Sequence, residues 1–194
     1  MKLHTAAPAA LVLSAALVLT GCSSGQPDSG SSHGANHGAA ERAGANDADV
    51  MFAQMMVVHH EQAIEMSDLV LAKEGIDQRV VSLAEAIKQA QGPEIVQMQG
   101  WLEDWGADRS TDGMHHGGTG MMSHDDLTKL EQADGRGASR LFLTQMIAHH
   151  EGAIDMAREQ VDTGRDAEAV ELARSVISAQ ATEIQQMRDL LEDL

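Results

Sequence analysis

Two stretches of this chain carry the same set of potential metal donors. Residues 52–66 read FAQMMVVHHEQAIEM, and residues 142–156 read FLTQMIAHHEGAIDM. His59, His60, Met56 and Met66 recur ninety positions later as His149, His150, Met146 and Met156. Repeated leucines would follow from packing alone, but a repeated pair of adjacent histidines among methionines does not. Imidazole nitrogen and thioether sulfur together, with no thiolate, suit copper, above all Cu(I). On a helix, Met55 with His59 and Met56 with His60 stand at i, i+4, close enough to act together. Gln145 replaces Met55 in the second copy, so the two sites need not be equivalent.

Other chemistry is open to the same residues. A core histidine must find a polar partner. The inward-facing carboxylates Glu94 and Glu183 offer partners for His59 and His149. Such pairs would fix helix register without any metal. Zinc could use the same histidines and glutamates. A di-iron carboxylate centre is disfavoured, because it needs Glu-x-x-His on two helices and that spacing is absent from the chain. There is no nucleophile–base arrangement, phosphate-binding glycine loop or thiol redox motif.

The elements that must position these residues are helices. At about 100° per residue, Phe52, Met56, His59, Ala63, Met66 and Val70 fall on one stripe. His60 lies about 80° from Phe52, on the shoulder of that stripe, and Glu61 and Glu65 point away from it. This first helix starts at Asp47 and should end near Gly75. Asp77 is placed to cap a second helix running toward Trp105. Its inward face holds Ala84, Ile87, Gln91, Glu94, Ile95, Met98 and Leu102, and Gly92-Pro93 should loosen or kink it. Gly137 to Thr163 is the third long helix, and Asp166 caps a fourth that runs to the C-terminus. Gln180, Glu183, Ile184, Met187 and Leu191 match Gln91, Glu94, Ile95, Met98 and Leu102 at an offset of 89. Met98 and Met187 thereby join the candidate donors from neighbouring helices. Each copy is a two-helix hairpin, and neither can bury its apolar stripes alone. The predicted fold is all-α: a four-helix bundle made of two repeated hairpins.

Between the hairpins, residues 107–136 hold a glycine-rich run with Met114, His115, His116, Met121, Met122 and His124. It reads either as a flexible accessory metal loop or as a polar connector. Ser123 and Asp126 form a capping-box signature for a short helix reaching about Ala133.

The N-terminus is a targeting segment. Lys2 precedes an apolar run from Ala6 to Leu19, interrupted by Pro8 and Ser14, which suits a signal peptide better than a membrane span. Leu19-Thr20-Gly21-Cys22 looks like a bacterial lipobox, whose processing would remove residues 1–21 and lipidate Cys22. Cys22 is the single cysteine, as befits a dedicated anchor. Residues 22–46 form a tether of Ser, Gly, Ala, Asn and His. Loss of Lys2 with the leader takes the formal charge from −17 to −18. So acidic a protein is unsuited to nucleic acid or to charge-driven binding of an anionic bilayer. Its membrane contact should come through the lipid. With two Phe, two Trp, no Tyr and twelve Met, the core must be aliphatic and methionine-rich.

The two HHE-x-A-I-[ED]-M phrases, each followed by an E-I-x-x-M segment (Glu94 to Met98, Glu183 to Met187), resemble a bacterial secreted family known as domain of unknown function 305. The resemblance covers about residues 47–194. It implies a ferritin-like four-helix bundle and a functional role for the HH motif, carried here by His59, His60, His149 and His150. Some members of that family bind copper in the periplasm and are implicated in copper resistance. The resemblance supplies no enzymatic activity.

Three functions are compatible with these features. The first is a lipid-anchored, extracytoplasmic copper-binding protein for buffering, storage or resistance, handing metal to a protein partner not identified by the sequence. The second is a ferritin-like metal-dependent oxidoreductase. The third is a structural or partner-binding lipoprotein whose His–Glu pairs hold the bundle without metal.

Overall fold

A computed structural model describes residues 44–109 and 120–194. The signal peptide, Cys22, the tether, and Met114, His115 and His116 of the central run lie outside the described residues. Among those described, the chain is all-helical: α1 (Asp47–Leu71), α2 (Gln78–Asp104), α3 (His124–Gln132), α4 (Gly135–Thr163) and α5 (Ala167–Asp193). None of these helices is long and apolar enough to cross a membrane.

The helix ends follow from their capping residues. Asp77 and Asp166 cap α2 and α5 by accepting from the backbone N–H groups of their first turns. Asn46 with Asp49, and Ser123 with Asp126, form reciprocal capping boxes on α1 and α3. Each satisfies two of the N–H donors that a helix start leaves open. Helix α1 stops at Leu71, and the turn closes through Gly75 at φ +73°. Asp134 caps α4, which therefore begins two residues before Gly137. The Gly92-Pro93 pair does not interrupt α2, which runs unbroken from Gln78 to Asp104. Pro93 and Gln89 are both exposed, so the carbonyl that loses its helical partner faces water.

Helix α1 packs closely on α2, and α4 on α5; the two hairpins join mainly along α1 and α4. Two apolar cores fill the bundle. One joins Phe52, Met56, Met98, Trp101 and Leu102 to Ala157, Leu172 and Val176. The other joins Met66, Val70, Leu83 and Ile87 to Leu130, Phe142, Met146, Met187 and Leu190. In sequence, His59 and His60 fall between Val57 of the first core and Ala63 of the second. His149 and His150 likewise fall between Met146 of the second and Ala153 of the first. The histidines thus form a polar layer between two greasy ends.

Each hairpin turn is stitched to the first helix of the other hairpin. Asp49, fully buried on α1, accepts from Arg165 N at 3.0 Å, Asp166 N at 3.1 Å and Gln160 Nε2 at 2.6 Å, besides Asn46 N at 2.7 Å. Its counterpart in the repeat is Ser139 on α4, whose hydroxyl accepts from Asp77 N at 3.2 Å. Gly135 sits so close to the α1–α2 turn that a Cβ there would collide with the Glu74 and Gly75 carbonyls.

Replacing Asp49 with Ala should strand three backbone N–H groups and a buried amide. We expect a loss of about 3 kcal/mol in urea unfolding, since bonds to a charged acceptor are the strong ones. The helical content of the folded state should be unchanged.

Candidate metal centre

The centre of the bundle is built from two turns of α1 and the equivalent two turns of α4. His59 and His149 meet across the α1–α4 seam, with ring centroids 3.6 Å apart and planes tilted by 35°. Both are buried. His60 and His150, one residue on, are also fully buried, so they do not sit at the edge of the core as the single-stripe reading predicts. Helix α1 packs against α2 as well as α4, and α4 against α5 as well as α1. Two neighbours bury an arc wide enough to take both histidines of each pair.

The carboxylate partners are those expected, but they serve the other histidine. Glu94 Oε2 lies 2.8 Å from His60 Nε2, and Glu183 Oε2 lies 2.6 Å from His150 Nε2. The expected pairs with His59 and His149 do not form, because those rings face the opposite long helix. Glu94 and Glu183 remain partly exposed, at 22% and 21%. Each pair therefore runs from water inward to a dry imidazole. The proline beside Glu94 leaves that geometry matched to its repeat.

The layer holds several polar atoms without protein partners. Nδ1 of His60 and Nδ1 of His150 are buried with no hydrogen-bond partner, and neither ring nitrogen of His149 makes a bond of good geometry, although the ring lies against the His59 backbone. Oε1 of Gln91 and of Gln180, one turn before the two glutamates, is likewise buried without a partner. Burial, and then the neighbouring rings of His59, His150 and His60, hold the His149 pKa well below the ordinary histidine value of 6.5. Its imidazole is neutral at pH 7, the form that ligates metals. With Nε2–H donated to a glutamate, Nδ1 of His60 or His150 keeps a free lone pair. Metal-binding histidines are commonly oriented this way, by a carboxylate on the other nitrogen.

Thioethers flank the layer on both sides. Met56 and Met98 are buried in one core, with Met156 packed at its edge. Met146, Met187 and Met66 are buried in the other. The two sets exchange under the repeat, each drawing one methionine from each of three helices. Met55 is half-buried and lines a surface cavity with Met156. Among the described residues, no group of three or more His, Cys, Asp or Glu is placed to hold a metal ion. The methionines lie in the apolar cores that border the histidines along the chain.

Glu61 and Glu151 are exposed, as their helix positions predict. Glu151 pairs with Arg188 of α5 at 2.8 Å. Of the central run, Met121 and Met122 are half-buried, and His124 is exposed at the start of α3. The sequence gives no sign of Gln54 and Gln62, which fasten the two ends of that run to α1. Gln54 Nε2 donates to Asp108 O at 2.6 Å. Gln62 donates to Met122 O at 3.0 Å and accepts from Met122 N at 2.7 Å. These glutamines bracket the histidines over about 12 Å of helix. Gly120, at φ +73°, lies against the α4 backbone at Ala148 and Gly152, where a Cβ could not fit.

The profile of the family described as Domain of unknown function (DUF305) matches residues 49–191. The chain belongs to this family. Similar solved structures include a DUF305 protein from Streptomyces coelicolor proposed to be secreted, with 36% identity, a TM-score of 0.71, and 75% of this chain and 91% of that chain covered. A DUF305 fragment from Deinococcus radiodurans has 31% identity and a TM-score of 0.72, covering 78% of this chain and 99% of that one. CopM in its Cu(II)-bound form has 31% identity and a TM-score of 0.66, with 75% and 96% covered. CopM also matches in Cu(I)-bound and Ag-bound forms. No curated protein matches the chain. The DUF305 bundle, with its two hairpins, is thus the fold of this protein.

A buried imidazole that makes no hydrogen bond of good geometry weakens the metal-free fold. Replacing His149 with Leu should therefore raise the stability of metal-free protein by about 1 kcal/mol, read as a higher midpoint in urea. A fall of several kcal/mol would show that the ring holds the bundle together.

Proposed function

We propose that this protein binds copper outside the cytoplasm and buffers, stores or passes it on, as part of resistance to the metal. The observation that carries the reading is the polar layer itself. It consists of four buried imidazoles, of which His60, His149 and His150 keep unpartnered nitrogens and two are braced by glutamates, between two methionine-bearing cores. Such a layer costs stability unless something completes it. Neutral imidazole and thioether donors, with no thiolate, favour Cu(I) and accept Cu(II) through nitrogen. CopM, solved with Cu(I), Cu(II) and Ag bound, supports the same assignment from an alignable bundle.

In this reading His59, His60, His149 and His150 supply nitrogen. Met56, Met98 and Met156 on one side, and Met146, Met187 and Met66 on the other, supply sulfur. Glu94 and Glu183 orient His60 and His150 and offset the charge of a bound cation. The central Met/His run, fastened at both ends beside the histidines, collects metal for the bundle. The lipobox-like Leu19–Cys22 segment anchors the chain by lipid on Cys22 to the outer face of the membrane. The binding function requires no reaction.

The test is a competition titration of the purified protein with Cu(I) and Cu(II) against chelators of known affinity. Changing all four histidines to Gln should weaken Cu(I) binding at least 100-fold while the helical spectrum persists. Glu94→Ala with Glu183→Ala should weaken it about 10- to 100-fold, the usual effect of removing a residue that orients a ligand. Unchanged Cu(I) affinity in the four-histidine variant would refute the assignment.

A further inference from the structure

A second group of thioethers, which shares Met156 with the first, lines a surface cavity toward one end of the bundle. A cavity of about 140 Å³ opens between the N-terminal part of α1 and the C-terminal part of α4. Met51, Met55 and Met156 line it, together with Phe52, Glu159 and Gln160. Met51 is 45% exposed, one of only two large hydrophobic side chains so exposed among the described residues. Met51 and Met55 stand one turn apart on α1, so both reach the same side of the helix.

Packing does not require methionine here. Under the repeat, Met51 corresponds to Leu141 and Met55 to Gln145, while Met156, Glu159 and Gln160 correspond to Met66, Leu69 and Val70. The same bundle accepts one methionine and no carboxylate at the equivalent place. Three sulfurs beside a carboxylate are thus a property of this half alone. Beside them Gln160 is 2% exposed and held by its Nε2 bond to Asp49, so the wall behind the three sulfurs is fixed.

We propose that Met51, Met55 and Met156 form a separate, solvent-accessible site for a soft monovalent cation, Cu(I) or Ag(I), with Glu159 supplying negative charge at its rim. Thioether-only coordination selects monovalent over divalent copper. The site rests on the copper reading above for its physiological metal, though not for its existence. Its place in the bundle makes it an entry station. Met156 both lines the cavity and packs against the core that contains Met56 and Met98. Met56 in turn lies one helical turn before His59. One residue thus borders both the open cavity and the buried thioethers.

The test is Ag(I) titration of the purified full chain, with the methionine methyl groups followed by carbon-13 NMR and the stoichiometry by calorimetry. The M51L/M55Q variant carries the residues that the second repeat already uses, so the bundle should fold as the parent does. We expect the Met51, Met55 and Met156 methyl signals of the parent to shift with Ag(I). M51L/M55Q should bind one equivalent fewer, with an unchanged melting temperature. In the variant with all four histidines changed to Gln, the same three signals should still shift. That result would uphold this site even if the histidine layer proved not to bind copper. Unmoved Met51, Met55 and Met156 signals in the parent, or full stoichiometry in M51L/M55Q, would overturn the proposal whatever the histidines do.

Discussion

The bond between a partly exposed glutamate and a buried imidazole, made twice, is the constraint around which this bundle is arranged. Glu94 reaches His60, and Glu183 reaches His150, each across a hairpin. An imidazole in an apolar core is tolerated only if its polar atoms are accounted for. Here one nitrogen of each ring is satisfied and the other is left open. The glutamate fixes which nitrogen carries the proton and thus which one keeps its lone pair. Helix register, histidine tautomer and donor direction all follow from that one contact.

The duplicated hairpin explains why the contact can be placed so deep. A single hairpin has no dry interior. Two hairpins joined along α1 and α4 create one, and they bring His59 against His149 where the copies meet. The same joint is reinforced at its ends, where Asp49 and Ser139 each bind the turn of the opposite hairpin. A polar layer that weakens the middle of the core is thus clamped at both ends by hydrogen bonds that do not depend on it. Functional sites are often the places where a fold gives up stability.

Much of this was legible in the amino-acid sequence because the repeat states it twice. The Asp77 and Asp166 caps, the Ser123–Asp126 box and the inward stripe with Gln91, Glu94 and Met98 all follow from local chemistry and a 3.6-residue period. The inward stripe pairs Glu94 with His59, one residue away from the partner it has, His60. A helical wheel assigns one buried direction, whereas α1 is buried in two, and only the packing decides that His60 faces α2 while His59 faces α4. Nothing local in the sequence marks Asp49, because only the tertiary packing brings the first turn of α1 against the α4–α5 turn. Gln54 and Gln62 were silent for the same reason. Met51 lay outside the repeated phrase, and only the cavity it shares with Met55 and Met156 brings it into view.

In the copper-binding role proposed above, the open nitrogens of His60, His149 and His150 are the metal donors. The most direct measurement is nitrogen-15 NMR of histidine-labelled protein as Ag(I) is added. Nδ1 of His60 and His150 should shift on coordination, while Nε2 of each keeps its proton and its bond to Glu94 or Glu183. Binding of Ag(I) that leaves every ring nitrogen of His59, His60, His149 and His150 unshifted would contradict it.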